Sequence, residues 1–240
     1  MQKITKWTVL VTLALGGGSA MAGTEVLNFA GLNGNANEGV ANFYNGGTGS
    51  LGSTGGVNYG ISFGSDAITL CDALTGGCTG SNVSSVPGGP GSNALFFLSG
   101  TGDVMNVAAG FTTGFSFDYT APFFTGSVSV YSGLNGTGTL LETLSLGLTT
   151  NGAGTPGCGS FNYCPFMSEG VNFSGTAESV VFTGTADHIA FADVTLGSSI
   201  AGGGPPGAPE IDPNSAACGL ILLLGGLLVL RGRKQPLIAA

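Results

Sequence analysis

Val57, Tyr59, Ile61 and Phe63 alternate with Asn58, Gly60, Ser62 and Gly64, and most apolar runs in the middle of the chain are as short and as soon closed by glycine. A period of two sends alternate side chains to opposite faces, as a half-buried strand requires. Runs this short leave no space between breakers for helical periodicity. The chain holds 46 glycines among 240 residues without a Gly-x-y period, so they punctuate strands and do not wind a collagen.

The same reading places strands at Val26-Leu27-Asn28-Phe29, 94–98, 104–107, through Phe115, Phe117 and Tyr119, and at 127–131, 140–146, 171–173, 179–182 and 188–196. Ala67 to Leu70 continues or pairs with the strand ending at Phe63. Glycines between 133 and 138 predict a hairpin of 127–131 with 140–146. Residues 33–56, rich in Gly, Asn, Ser and Thr, read as a long loop. About ten one-sided strands without a helix need a second sheet to cover each apolar face. The expected fold is all-β, an antiparallel β-sandwich of jelly-roll type over 23–196, followed by a Gly/Pro linker over 197–208.

Every basic residue lies near an end: Lys3, Lys6, Arg231, Arg233 and Lys234. Eleven of the 13 acids lie between Gly23 and Ala208. The body therefore has no Lys or Arg with which to form salt bridges or hold a phosphate backbone, which excludes nucleic acid as a partner. A metal cation suits it better. Glu25 on the first strand and Asp187 or Asp193 on the last, with backbone carbonyls, are the candidate ligands of a structural calcium, and no other cofactor is expected.

Lys3 and Lys6 precede an apolar run from Trp7 to Leu15, and Ala20-Met21-Ala22 supplies a small-residue exit. Residues 1–22 read as a signal peptide, cut after Ala22 by signal peptidase. At the other end Pro209, Glu210, Ile211, Asp212 and Pro213 precede an apolar run from Ala216 to Leu230, then Arg231, Arg233 and Lys234. The run would make about 22 Å of helix, short for a permanent span. Its basic cluster should stay cytoplasmic, so the expectation is a transient membrane anchor. This tail, 209–234, resembles the PEP-CTERM sorting signal, with Pro-Glu-Ile-Asp-Pro where the usual form has Pro-Glu-Pro. The resemblance implies recognition by an exosortase, an intramembrane cysteine-dependent protease and transferase, removal of the tail, and delivery to the cell surface or an exopolysaccharide matrix. Phe43-Tyr44-Asn45-Gly46-Gly47, 133–141, 177–184 and 189–197 likewise resemble the bodies of sorted proteins of this class, which are similar to galactose-binding-like and carbohydrate-binding jelly rolls.

Cys71 and Cys78, and Cys158 and Cys164, are close in sequence, so an oxidising compartment favours two local disulfides. A zinc site fits poorly, since the spacings are long and His188 is the one histidine. The fifth cysteine, Cys218, lies in the tail. Gly47-Thr48-Gly49-Ser50-Leu51-Gly52 has dinucleotide-turn spacing, but no strand leads in and no helix follows.

No catalytic residue is assigned. The body lacks a nucleophile elbow, and His188 beside Asp187 reads as a turn contact. Two carboxylates would serve a glycosidase, but no pair stands out among the scattered acids. Sugar faces stack on exposed rings, and with Trp7 in the signal peptide the candidate contacts are Tyr44, Tyr59, Tyr163 or a phenylalanine. Phe115, Phe117, Phe182 and Phe191 belong to the core by alternation. The sequence thus points to a non-enzymatic exported protein of the surface or matrix, with exopolysaccharide binding as the alternative and glycoside hydrolysis third.

Overall fold

A computed structural model describes residues 20–21, 23–75 and 77–203. The expected signal peptide apart from Ala20 and Met21, the expected sorting motif at Pro209 to Pro213, the apolar run with Cys218, and Arg231, Arg233 and Lys234 lie outside the described residues.

The described residues form an all-β antiparallel sandwich of two sheets. Its eleven strands are β1 (Glu25–Leu27), β2 (Ile61–Phe63), β3 (Ile68–Cys71), β4 (Asn93–Phe96), β5 (Gly102–Phe111), β6 (Gly114–Thr120), β7 (Gly126–Gly133), β8 (Thr137–Leu146), β9 (Met167–Asn172), β10 (Ala177–Thr183) and β11 (Ala190–Leu196). One sheet runs β3-β4-β11-β6-β9, with β1 also on β11; the other runs β2-β5-β10-β7-β8. The β7–β8 hairpin forms as expected, with Val128 opposite Leu144.

Inward positions follow the alternation. Phe115, Phe117 and Phe191 of the first sheet meet Phe182 of the second, with Phe182 and Phe191 centroids 4.9 Å apart and edge-to-face. Each such pair adds about 0.5–1.5 kcal/mol beyond its buried area. β11 is buried along its whole length because β1 and β4 share one of its edges and β6 takes the other.

Three sequence expectations need correction. The strand read from Val57 begins only at Ile61: Gly60 takes φ +68, which breaks the extended run, and Val57 is exposed. Residues 68–71 do not pair with it but cross to the other sheet and pair with β4, with Ile68 opposite Phe96. The first part of the supposed linker is packed onto the domain, which reaches Gly203. There Gly197 N–H donates to Gly114 O, and Ser116 Oγ donates to Ser198 O.

Residues 33–56 do form a loop, but one wrapped around a buried acid. Glu38 accepts from Asn33 N (2.7 Å), Leu51 N (3.0 Å), Ser53 N (3.0 Å) and Ser53 Oγ. Burial alone would raise its pKa, yet these donors hold it below the usual carboxylate value. Its backbone carbonyl accepts from both Thr69 N and Thr69 Oγ1, which ties the loop to β3.

Candidate functional site

A cleft of about 520 Å³ opens where loops from both disulfide regions meet the start of β11. Thr79 and Gly80 follow the Cys71–Cys78 bridge, and Tyr163 precedes Cys164 of the Cys158–Cys164 bridge; all three residues line the cleft. The two bridged loops are joined by a pair of amide hydrogen bonds. Asn82 Nδ2 donates to Asn162 Oδ1 (3.1 Å), and Asn162 N donates to Asn82 Oδ1 (3.0 Å). The cysteine spacing thus becomes a rigid wall.

Tyr163 and His188 form the floor. The Tyr163 hydroxyl lies 2.8 Å from His188 Nδ1 and donates to Asp187 O at 3.0 Å. Because the hydroxyl has a single hydrogen, that arrangement leaves Nδ1 as the protonated ring nitrogen and Nε2 as an acceptor. Burial, then the charge of Asp187, pushes the tyrosine up to about 12, so it stays a neutral hydroxyl. Asn35 Oδ1 accepts from Thr79 N (2.7 Å) and Thr79 Oγ1 (3.0 Å), which frees the Asn35 amide hydrogens to donate to a ligand.

Phe123 lines the cleft, and Phe124 sits beside it against His188. Phe123 and Phe124, in the β6–β7 connection, are 44% and 46% exposed. Phe123 stands edge-on to Tyr163 at 5.9 Å, and Phe124 lies 4.6 Å from the His188 ring. Water-exposed phenylalanines beside amide donors and an imidazole acceptor make a surface with apolar faces and a polar fringe, the pattern that a sugar presents in return.

The expected sugar-contact tyrosines are largely elsewhere. Tyr44 is 5% exposed and accepts from Phe29 N at 2.9 Å, so it is core, with its pKa pushed up by burial. Tyr59 is half-buried, stacked on Tyr44 at 6.2 Å, and its pKa is raised by burial and by Glu25 nearby. Tyr163 does reach the cleft, but at 8% exposure it buttresses Phe123 instead of offering its own face. Phe123 and Phe124 were missed. The signal was an unalternating Phe pair between Pro122 and Gly126, where a turn has no core to fill.

The expected calcium ligands are not brought together, and no group of three or more His, Cys, Asp or Glu is poised for a metal among the described residues. Asp187 is at the cleft. Glu25 is beside Tyr59. Asp193 sits at a β11 irregularity with φ +44, its Oδ1 buried without a partner, as is Ser92 Oγ. A Cβ at Gly88 would lie 2.5 Å from the first and 2.6 Å from the second, so the two orphaned oxygens face one small space. Burial, then the charge of Asp118, raises Asp193 to about 6.

No family model matches the chain, and no curated protein matches it. Among solved structures, a family 6 carbohydrate-binding module is 19% identical over 46% of this chain and 78% of its own, with a TM-score of 0.29. The module of Cellvibrio mixtus lichenase 5A, bound to cellotriose, is 13% identical over 55% of this chain and 86% of its own, TM-score 0.33. A family 43 arabinoxylan arabinofuranohydrolase from Bacillus subtilis, bound to cellotetraose, is 18% identical over 62% of this chain and 31% of its own, TM-score 0.33.

Proposed function

We propose that this chain is a non-enzymatic, exported module that holds a polysaccharide in the cleft between Phe123, Phe124 and His188. The observation that carries the reading is the exposed Phe123 ring lining a cleft whose walls are stapled by disulfides, with the exposed Phe124 ring beside it against His188. Apolar rings that a monomeric fold leaves in water mark a binding surface when polar groups converge beside them. Asn35 would donate to, and His188 Nε2 accept from, ligand hydroxyls. Among the described residues Asp187 is the one carboxylate lining the cleft, whereas glycoside hydrolysis uses two, so binding without turnover fits this geometry better.

The test is affinity electrophoresis and calorimetry against soluble polysaccharides, beginning with the host's own exopolysaccharide. Phe123→Ala and Phe124→Ala should each weaken binding by about 1–3 kcal/mol, the range for truncating an aromatic anchor. Tyr59→Ala should not. Equal binding by wild type and the Phe123→Ala/Phe124→Ala double variant, or release of reducing sugar, sinks the reading.

Export rests on the sequence at both ends and is supported by the two disulfides, which belong to oxidising compartments. In this proposal an exosortase cuts near Pro209 to Pro213 and leaves the module at the surface or in the matrix. Mass spectrometry of the processed chain, in the native host and in one lacking the sorting protease, decides it: a full-length tail in the native host means a simple membrane anchor.

A further inference from the structure

Asp103 occupies a position where alternation calls for an apolar side chain. Along β5 the inward positions run Asp103, Met105 and Val107, all buried. Asp103 is 8% exposed, and its Oδ2 has no hydrogen-bond partner. Its neighbour is a second acid, Asp66, in the turn between β2 and β3. A second turn, between β4 and β5, reaches Asp66: Ser99 Oγ donates to Asp66 Oδ1 at 3.2 Å.

Glycines make the space. A Cβ at Gly64 would lie 2.5 Å from Asp103 Oδ1, and one at Gly100, where φ is +72, would lie 3.4 Å from Asp66 Oδ2. Backbone amides of Asp66, Gly64 and Val104 face Asp103 but leave its Oδ2 without a partner. No Lys or Arg lies between Gly23 and Ala208 to balance two carboxylates. A buried charge left this way is strongly unfavourable unless something neutralises it.

We propose that Asp66, Asp103 and Ser99 form a site for one calcium ion. The donors are all hard oxygens, with neither the imidazole nor the thiolate that would favour zinc or copper. Two carboxylates match the double charge, and backbone carbonyls with water complete the six to eight ligands that calcium takes. The ion would pin the β2–β3 turn to the β4–β5 turn. Leu98, next to Ser99, lines the glycan cleft, so the site braces that end of the sandwich without belonging to the cleft.

The purified protein, stripped with EDTA, should be titrated with calcium chloride by calorimetry and followed by thermal unfolding. One calcium-dependent binding event and a rise in Tm are expected, with magnesium much weaker. Asp66→Asn, at a half-buried turn and therefore expected to fold, should weaken calcium binding roughly tenfold or more, since affinity follows ligand charge. Asp103→Asn should abolish the calcium response. Asp193→Asn should leave this binding event intact. Absence of any calcium-dependent heat or Tm shift overturns the proposal, as does a response kept in Asp66→Asn but lost in Asp193→Asn.

Discussion

Glu38 and Asp103 are both carboxylates withdrawn from water in a body that contains no Lys or Arg, and the structure treats them differently. Glu38 is met by four donors from its own loop, so the charge is solvated by peptide and hydroxyl groups and the loop gains a centre. Asp103 has a second acid beside it and one oxygen with no partner. An acid in the first position organises the chain around it; one in the second demands something from outside. Absence of cationic side chains is therefore not a single condition. What matters is whether donors reach both oxygens: backbone amides face each carboxylate, but Glu38 has two donors on each oxygen, whereas Asp103 keeps Oδ2 bare and has Asp66 beside it.

The largest expected effect comes from breaking the satisfied site. Glu38→Gln keeps the shape but turns one acceptor oxygen into an NH2 that faces N–H groups, and should lower stability by about 2–4 kcal/mol in urea unfolding. A loss below the error of that measurement would mean that the loop does not depend on its acid.

Asp103→Asn should do the opposite. In EDTA at pH 7 it removes an unbalanced charge and should stabilise the protein by on the order of 2 kcal/mol. The pH dependence separates the two groups by sign. Asp103 is raised from 3.8 to about 6, so its penalty is complete above about 6 and is relieved as pH falls from there toward 3.8. Glu38 is lowered from 4.5, so its contribution is present above that value and is lost as pH falls through the lower, folded value. The gain from Asp103→Asn should thus fade between pH 6 and 4, while the loss from Glu38→Gln should persist to pH 4.5. Parallel pH profiles for the two variants would erase the distinction.

The smallest effect is a difference between two glycines. A Cβ at Gly49 would lie 2.4 Å from Glu38 Oε1, and one at Gly64 the stated 2.5 Å from Asp103 Oδ1. Glu38 is held by four donors, whereas Asp103 has a free oxygen and can shift. Gly49→Ala should therefore cost about 1 kcal/mol more than Gly64→Ala, within the range for overpacking. Equal Tm values for the two variants would count against the looser hold on Asp103.

Much of the fold was legible beforehand because strand alternation and turn chemistry are local. Phe115, Phe117 and Tyr119 point inward as their spacing requires, the β7–β8 hairpin closes at its glycines, and each cysteine bridges its nearest companion. The cleft was less legible. Tyr44 and Tyr163 carry the same local signature as a surface tyrosine, and each is withdrawn because its hydroxyl finds a partner across the fold: Phe29 N for one, Asp187 O and His188 for the other.

By itself the sequence determined an all-β body, its disulfide pairs and its lack of cations, since each of these depends on neighbours along the chain or on composition. The tertiary structure alone decided that Phe123 and Phe124 stay in water beside His188, and that Asp66, held by Ser99, lies near Asp103. Those juxtapositions depend on which strands become neighbours across two sheets, and the pairing that sets them is made by the packing of the whole core.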